Sequence, residues 1–197
     1  MPKIQWEGNG DWEKSFPELP LPKNAKLLQR PADPVRGSTP YMILPGILCF
    51  AAVFVKARLA GTFLFDPWYA PLAFLVGFLV AMPLHEWLHG ICYPREAVVY
   101  IGLCLKRLRA YAVCFYPISK RRFILMSLAP AVPGILALAV FLLCPAGQKP
   151  LMSVYIVSAF MGLLSPAPDY MDVFLVAKSV PKGATIQASN QGLFWYP

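Results

Sequence analysis

Residues 71–93 read PLAFLVGFLVAMPLHEWLHGICY. The run is mostly apolar and has the length a helix needs to cross a hydrocarbon core, about 20 residues. It also contains His85, Glu86 and His89, and the chain has no other histidine. An apolar stretch of this length suits either a bilayer span or a helix deep in a large soluble domain, and composition separates the two. The 197-residue chain is 57% hydrophobic and 14% charged, whereas soluble domains are roughly one-quarter charged. The expected fold class is an α-helical integral membrane protein with one functional unit.

Three more apolar runs follow the same pattern: YMILPGILCFAAVFV (41–55), FILMSLAPAVPGILALAVFLLC (123–144) and LMSVYIVSAFMGLLSPAPDYMDVFLVA (151–177). About four transmembrane helices are therefore expected. The run at 41–55 is short and reaches span length only by including Lys56 or Arg58, whose stems can snorkel toward an interface. Prolines interrupt every run. In lipid such breaks survive where protein or a water-lined cavity satisfies the freed carbonyls, so the helices are expected to pack round a polar pocket.

Between the second and third runs lies REAVVYIGLCLKRLRAYAVCFYPISKRR. Its β-branched and aromatic alternation, divided by KRLR, predicts a small β-hairpin at the membrane surface. Residues 94–122 hold seven Lys or Arg and one acid, while 145–150 holds only Lys149. The positive-inside rule puts the hairpin in the cytoplasm. Counting spans outward places both termini there too, with Lys56 and Arg58 on the outer side as the opposing sign. Residues 1–40 mix six basic and five acidic residues with FPELPLPK and RPADP, where proline removes amide donors too often for long helices. They are expected to form a solvated N-terminal arm, ahead of a membrane-embedded domain at 41–177 and a C-terminal tail at 178–197. The first 40 residues lack the pattern of a cleavable secretory signal. Cys49, Cys92, Cys104, Cys114 and Cys144 form no CxxC pair and read as free thiols. The net charge of +8 lies beside the spans, where orientation already accounts for it, so no nucleic-acid partner is expected and the lipid bilayer is.

On a helix, residues i and i+4 stand one above the other on the same face. His85 and His89 can therefore bind one metal ion, while Glu86, rotated by about 100° from His85, stays beside the ion without joining its ligands. This is the content of HExxH: two neutral imidazoles hold zinc, and the glutamate serves as general base and then proton donor in peptide hydrolysis. HExxH also arises by chance in soluble helices. Here that reading is costly, because three ionisable groups inside a span need partners to offset desolvation. Haem fails on geometry, since histidines stacked on one helical face cannot reach opposite sides of one iron.

Catalytic zinc commonly takes three protein ligands, and no third histidine exists; a metzincin would place one where Arg95 stands. The downstream carboxylates are Glu96, just after the helix, and Asp169 and Asp172 in the last run. Depth supports the aspartates. His85 precedes Tyr93 by 8 residues and Asp169 precedes Ala177 by 8, so each lies about 12 Å from the cytoplasmic end of its span. Asp169 directly follows Pro166 and Pro168, where a helix break can turn a carboxylate into the cavity. An end-of-helix cap is the plainer role for these acids.

HEWLHG in one span, a hairpin, a span opening with FILMSLAP and an aspartate in a broken last span together resemble intramembrane site-2-type zinc metalloproteases. PDYMDVFLVAKSVPKGATIQASNQGLFWYP more closely resembles the C-terminal signature of a small bacterial membrane family described as putative zincin peptidases. The resemblance extends over about 41–197. It places Asp169 on the family's aspartate and Asp172 on an asparagine, with Pro168 standing for a glycine and Leu175 for a second asparagine. It implies a protease, and no substrate.

The combined expectation is a membrane-embedded zinc metalloprotease in the bacterial cytoplasmic membrane: His85, His89 and Asp169 bind Zn2+, Glu86 is catalytic, and a peptide or membrane protein is the substrate. Asp172 remains the competing third ligand. A non-proteolytic zinc-binding protein or inactive scaffold is the alternative, and it has no evident need for Glu86. Oligomeric state is not legible.

Overall fold

The computed structural model describes residues 1–10, 16–62, 64–66 and 68–197. Among them, three helical stretches are long and apolar enough to cross a membrane: Pro34–Ala60, Tyr69–Ile91 and Lys149–Ser179. The first joins the short helix α1 (Pro34–Ser38), a 3-10 turn and α2 (Ile43–Ala60). The second is α3 (Tyr69–Ile91) and the third is α6 (Lys149–Leu164) followed by α7 (Ala167–Ser179). A fourth arises if α4 (Lys120–Leu128) and α5 (Ala131–Leu143), bent by 43° at Ala129–Pro130, are taken as one. Both interruptions fall where the sequence places proline, as its missing amide requires.

Close helix approach depends on glycine at one crossing. A Cβ on Gly134 of α5 would lie 2.6 Å from the Gly162 carbonyl carbon in α6, and one on Gly162 would lie 2.7 Å from Gly134 Cα. The backbones meet there directly, as small residues permit between apolar helices. Lys56 does not snorkel. It is buried, and its Nζ donates to the carbonyls of Phe141 (2.5 Å), Leu142 (2.9 Å) and Cys144 at the end of α5. A lysine is suited to those unpaired carbonyls and to the negative end of the helix dipole, so its position in the chain says little about orientation.

The expected hairpin is present as β3 (Val98–Cys104) and β4 (Arg109–Val113), antiparallel across Leu105–Leu108. The ends of the chain differ from expectation. Strand β1 (Lys3–Asn9) pairs in parallel with β3, giving a sheet of order β1-β3-β4. A second sheet takes β2 (Lys26–Leu27), β5 (Ile118–Ser119), β6 (Thr185–Ser189) and β7 (Gly192–Tyr196) in the order β2-β7-β6-β5. The arm is solvated along much of its length but paired, and residues 11–15 of it lie outside the described residues. The tail is a hairpin, with Ser189 opposite Gly192.

Burial explains both departures. Ile4 packs on Ala97, Val99, Ile101 and Cys114. Leu28, Ile186 and Leu193 close a core with Ile118, Phe123, Met126, Val176 and Val180, which seats the second sheet on α4 and α7. Both chain ends therefore sit at the hairpin's end of the molecule.

Candidate metal centre

Helix α3 carries His85, Glu86 and His89 in its last two turns, and Asp169 stands in the first turn of α7. Two elements 80 residues apart thus meet. Nε2 of His85 is 3.2 Å from Asp169 Oδ2, and Nε2 of His89 is 3.3 Å from Asp169 Oδ1. The two Nε2 atoms are 3.1 Å apart. Donor atoms of three side chains meet here, and these three residues form a group able to hold a metal ion. The size suits zinc: bonds of about 2.0–2.1 Å at the tetrahedral angle put ligand atoms about 3.3–3.4 Å apart, close to the separation of the two Nε2 atoms and to that of each Nε2 from its nearer Asp169 oxygen.

The ring of His89 is oriented from behind. Its Nδ1 lies 3.0 Å from the carbonyl oxygen of Met126 in α4. With the proton on Nδ1 donated to that carbonyl, Nε2 turns a lone pair toward Asp169 and His85, the arrangement common to metal-binding histidines. Helix α4 does more. Lys120 Nζ donates to the carbonyls of Ala177 (3.1 Å) and Val180 at the end of α7, and Arg122 Nε donates to Cys92 O (2.9 Å) at the end of α3. The basic start of α4 thereby ties together the two helices that carry the donor atoms. In the sequence these residues register only as positive charge for orientation; the capping role leaves no local pattern.

The group opens into a cavity of about 820 Å³. Phe74, Phe78, Met82 and Met161 give it an apolar side, and Leu108, Arg109, Ala110 and Ala112 bring β4 to its rim. Glu86 lines this cavity together with Ala112 of β4, an edge strand. The other candidate acids are not part of the three-residue group. Glu96 is exposed beyond α3 and does not line the cavity. Asp172 lines it but is engaged by Arg30, which donates from Nε to Oδ1 (2.8 Å) and from Nη2 to Oδ2.

The helix break expected before Asp169 falls at Ser165–Pro166, and Pro168 sits inside the first turn of α7. The Pro166 carbonyl already accepts from the Tyr170 amide (2.9 Å), so Asp169 reaches the histidines from a regular helix start and not from unwound chain. All five cysteines are free thiols, as expected.

No curated protein and no solved structure matches the chain. A family does match over residues 78–185, from the middle of α3 to the start of β6, and that region holds every donor atom of the group. With more than half of its length matched, the chain belongs to the family described as "putative zincin peptidase".

Proposed function

We propose that this protein is a membrane-embedded zinc metallopeptidase with a site-2-type layout. The observation that carries the reading is the triangle of His85 Nε2, His89 Nε2 and an Asp169 carboxylate, 3.1–3.3 Å on each side, beside a glutamate that faces the same cavity. His85, His89 and Asp169 would hold the ion. When bound, zinc supplies Lewis acidity, lowering the pKa of a coordinated water toward neutrality and polarising a peptide carbonyl.

The protein groups supply the rest. Glu86 takes the proton of the attacking water and returns it to the leaving amine. The Met126 carbonyl keeps His89 in one tautomer. Strand β4 offers an edge at the rim of the cavity, and an extended substrate segment can add to it by main-chain hydrogen bonds. Such pairing would present an otherwise helical membrane segment as an exposed strand.

Membrane residence is supported by the apolar side chains that α2 and α3 leave uncovered, among them Ile47, Phe50, Phe54, Leu72, Leu75 and Leu79, since large exposed apolar patches are rare on monomeric soluble proteins. The charge asymmetry of the hairpin segment supports reading this end of the molecule, with both termini, as the cytoplasmic side of a protein in a bacterial cytoplasmic membrane. The reading is tested by metal analysis of the purified full chain. About one zinc per chain is expected, the number a single three-ligand site implies, with most of it lost in His85→Ala and in His89→Ala. Full zinc retention in both variants would remove the basis of the proposal.

A further inference from the structure

Besides Glu86 and Asp169, the cavity holds a third carboxylate, which the proposed reaction does not use. Asp172 lies one turn beyond Asp169 on α7, lines the same cavity and is near enough to interact electrostatically with both Asp169 and His89. Residues so spaced on a helix start about 5–6 Å apart at Cβ. A free carboxylate there competes to join His85, His89 and Asp169 round a cation. That matters because structural zinc sites are closed by a fourth protein ligand, whereas catalytic ones keep a position open.

Arg30 meets Asp172 across 142 positions of chain. Its two N–H groups engage one carboxylate oxygen each, the bidentate geometry that fixes orientation as well as charge. The segment bearing Arg30 is itself held. Leu28 is buried, and its amide donates to Leu193 O (2.8 Å). Asp33 caps α1, and α1 lies so close to its surroundings that a Cβ on Gly37 would stand 2.6 Å from Pro31 Cγ and 3.4 Å from Met171 Sδ. Val35, Ser38, Thr39 and Met42 continue the cavity wall. The guanidinium is thus presented by packed structure on the side of Asp172.

We propose that Arg30 is a positioning residue of the metal centre: it holds Asp172 out of coordination, so that His85, His89 and Asp169 form a three-ligand set with one position open to substrate. The inference rests on the zinc-peptidase reading above. It predicts that Arg30 is needed only while residue 172 carries a charge.

The test loads the full-length protein with Co2+ and compares wild type, Arg30→Ala, Asp172→Asn and the double variant, reading the visible absorption per bound cobalt together with peptide cleavage. Four-coordinate cobalt absorbs more strongly than five-coordinate cobalt. Arg30→Ala should keep its cobalt with a band altered in position if Asp172 fills the open position, or weakened if it adds as a fifth ligand, and cleavage should fall on the order of 10–100-fold, the range for residues that act behind the ligands. Asp172→Asn should keep the wild-type band, and the double variant should regain both band and activity. A double variant no better than Arg30→Ala, or an unchanged band in Arg30→Ala, would overturn the inference and leave a staple of the N-terminal segment. If Arg30→Ala does not fold, Arg30→Gln decides, since it removes the charge and keeps most of the side chain: an altered band supports the inference and an unaltered band refutes it. A wild type that binds no cobalt would defeat the metal reading itself, and this inference with it.

Discussion

Replacing Asp169 and Asp172 in turn separates a metal ligand from its neighbour. Asp169 places one oxygen 3.2 Å from His85 Nε2 and the other 3.3 Å from His89 Nε2, so Asp169→Ala removes one of three donor groups and the negative charge nearest the proposed ion. Asp172 is engaged by Arg30, so Asp172→Asn changes only what surrounds the ligands. Changes of the second kind cost about 10–100-fold in metal affinity, which is about 1.4–2.8 kcal/mol at 1.4 kcal/mol per tenfold. Asp169→Ala should exceed that upper bound, and Asp172→Asn should fall within or below the range. Competition against a chromogenic chelator measures both dissociation constants, with thermal unfolding of each apoprotein as the control for fold. Tighter zinc binding in Asp169→Ala than in Asp172→Asn would refute the assignment and move the ligand one helical turn along α7.

Two further outcomes follow from the sheet region. Burial pushes the Cys114 thiol up to about 11 from an ordinary value near 9; the folded state then holds a proton that the unfolded state releases, so this contribution to stability is complete below pH 9 and is lost as pH rises toward 11. Denaturation across that window should show a fall in stability that Cys114→Ala removes, and a wild-type and variant difference that is flat with pH would contradict the burial argument. For orientation the native Cys104 and Cys114 are poor probes because both are buried, whereas Leu105 at the hairpin tip is 58% exposed. Leu105→Cys should react with a membrane-impermeant thiol reagent only after the cytoplasmic face is opened, and reaction in intact cells would invert the proposed topology.

Legibility in the sequence followed the range of the interactions. The i, i+4 register of His85 and His89 and the alternation on either side of KRLR are local, and the structure realises both as α3 and the β3–β4 hairpin. Asp169 is legible because it and His85 each stand 8 residues before the end of an apolar run, which puts the two on one level when both runs are helices ending at one surface. What escaped was long-range or backbone in origin. Strand β1 has the sequence KIQWEGN, polar at most positions, and only its partner β3 makes it a strand. The hydrogen-bond partner of His89 is a carbonyl, which any residue at 126 would supply. Arg30 and Asp172 are ordinary charges until the fold brings them together. Lys120 and Arg122 were read correctly as part of a basic segment, yet the helix ends they cap are set by tertiary packing.

The central claim, that this is a peptidase and not only a holder of zinc, depends on Glu86, the one acid in the motif placed to move a proton and not to bind metal. The most direct measurement compares wild type with Glu86→Gln for zinc content and for cleavage of membrane proteins, read by quantitative proteomics of membranes from cells expressing each. The amide preserves shape and cannot act as a base. The account predicts equal zinc in the two proteins and cleavage products that appear only with wild type; equal zinc with identical product patterns would contradict it and favour a non-proteolytic zinc-binding protein.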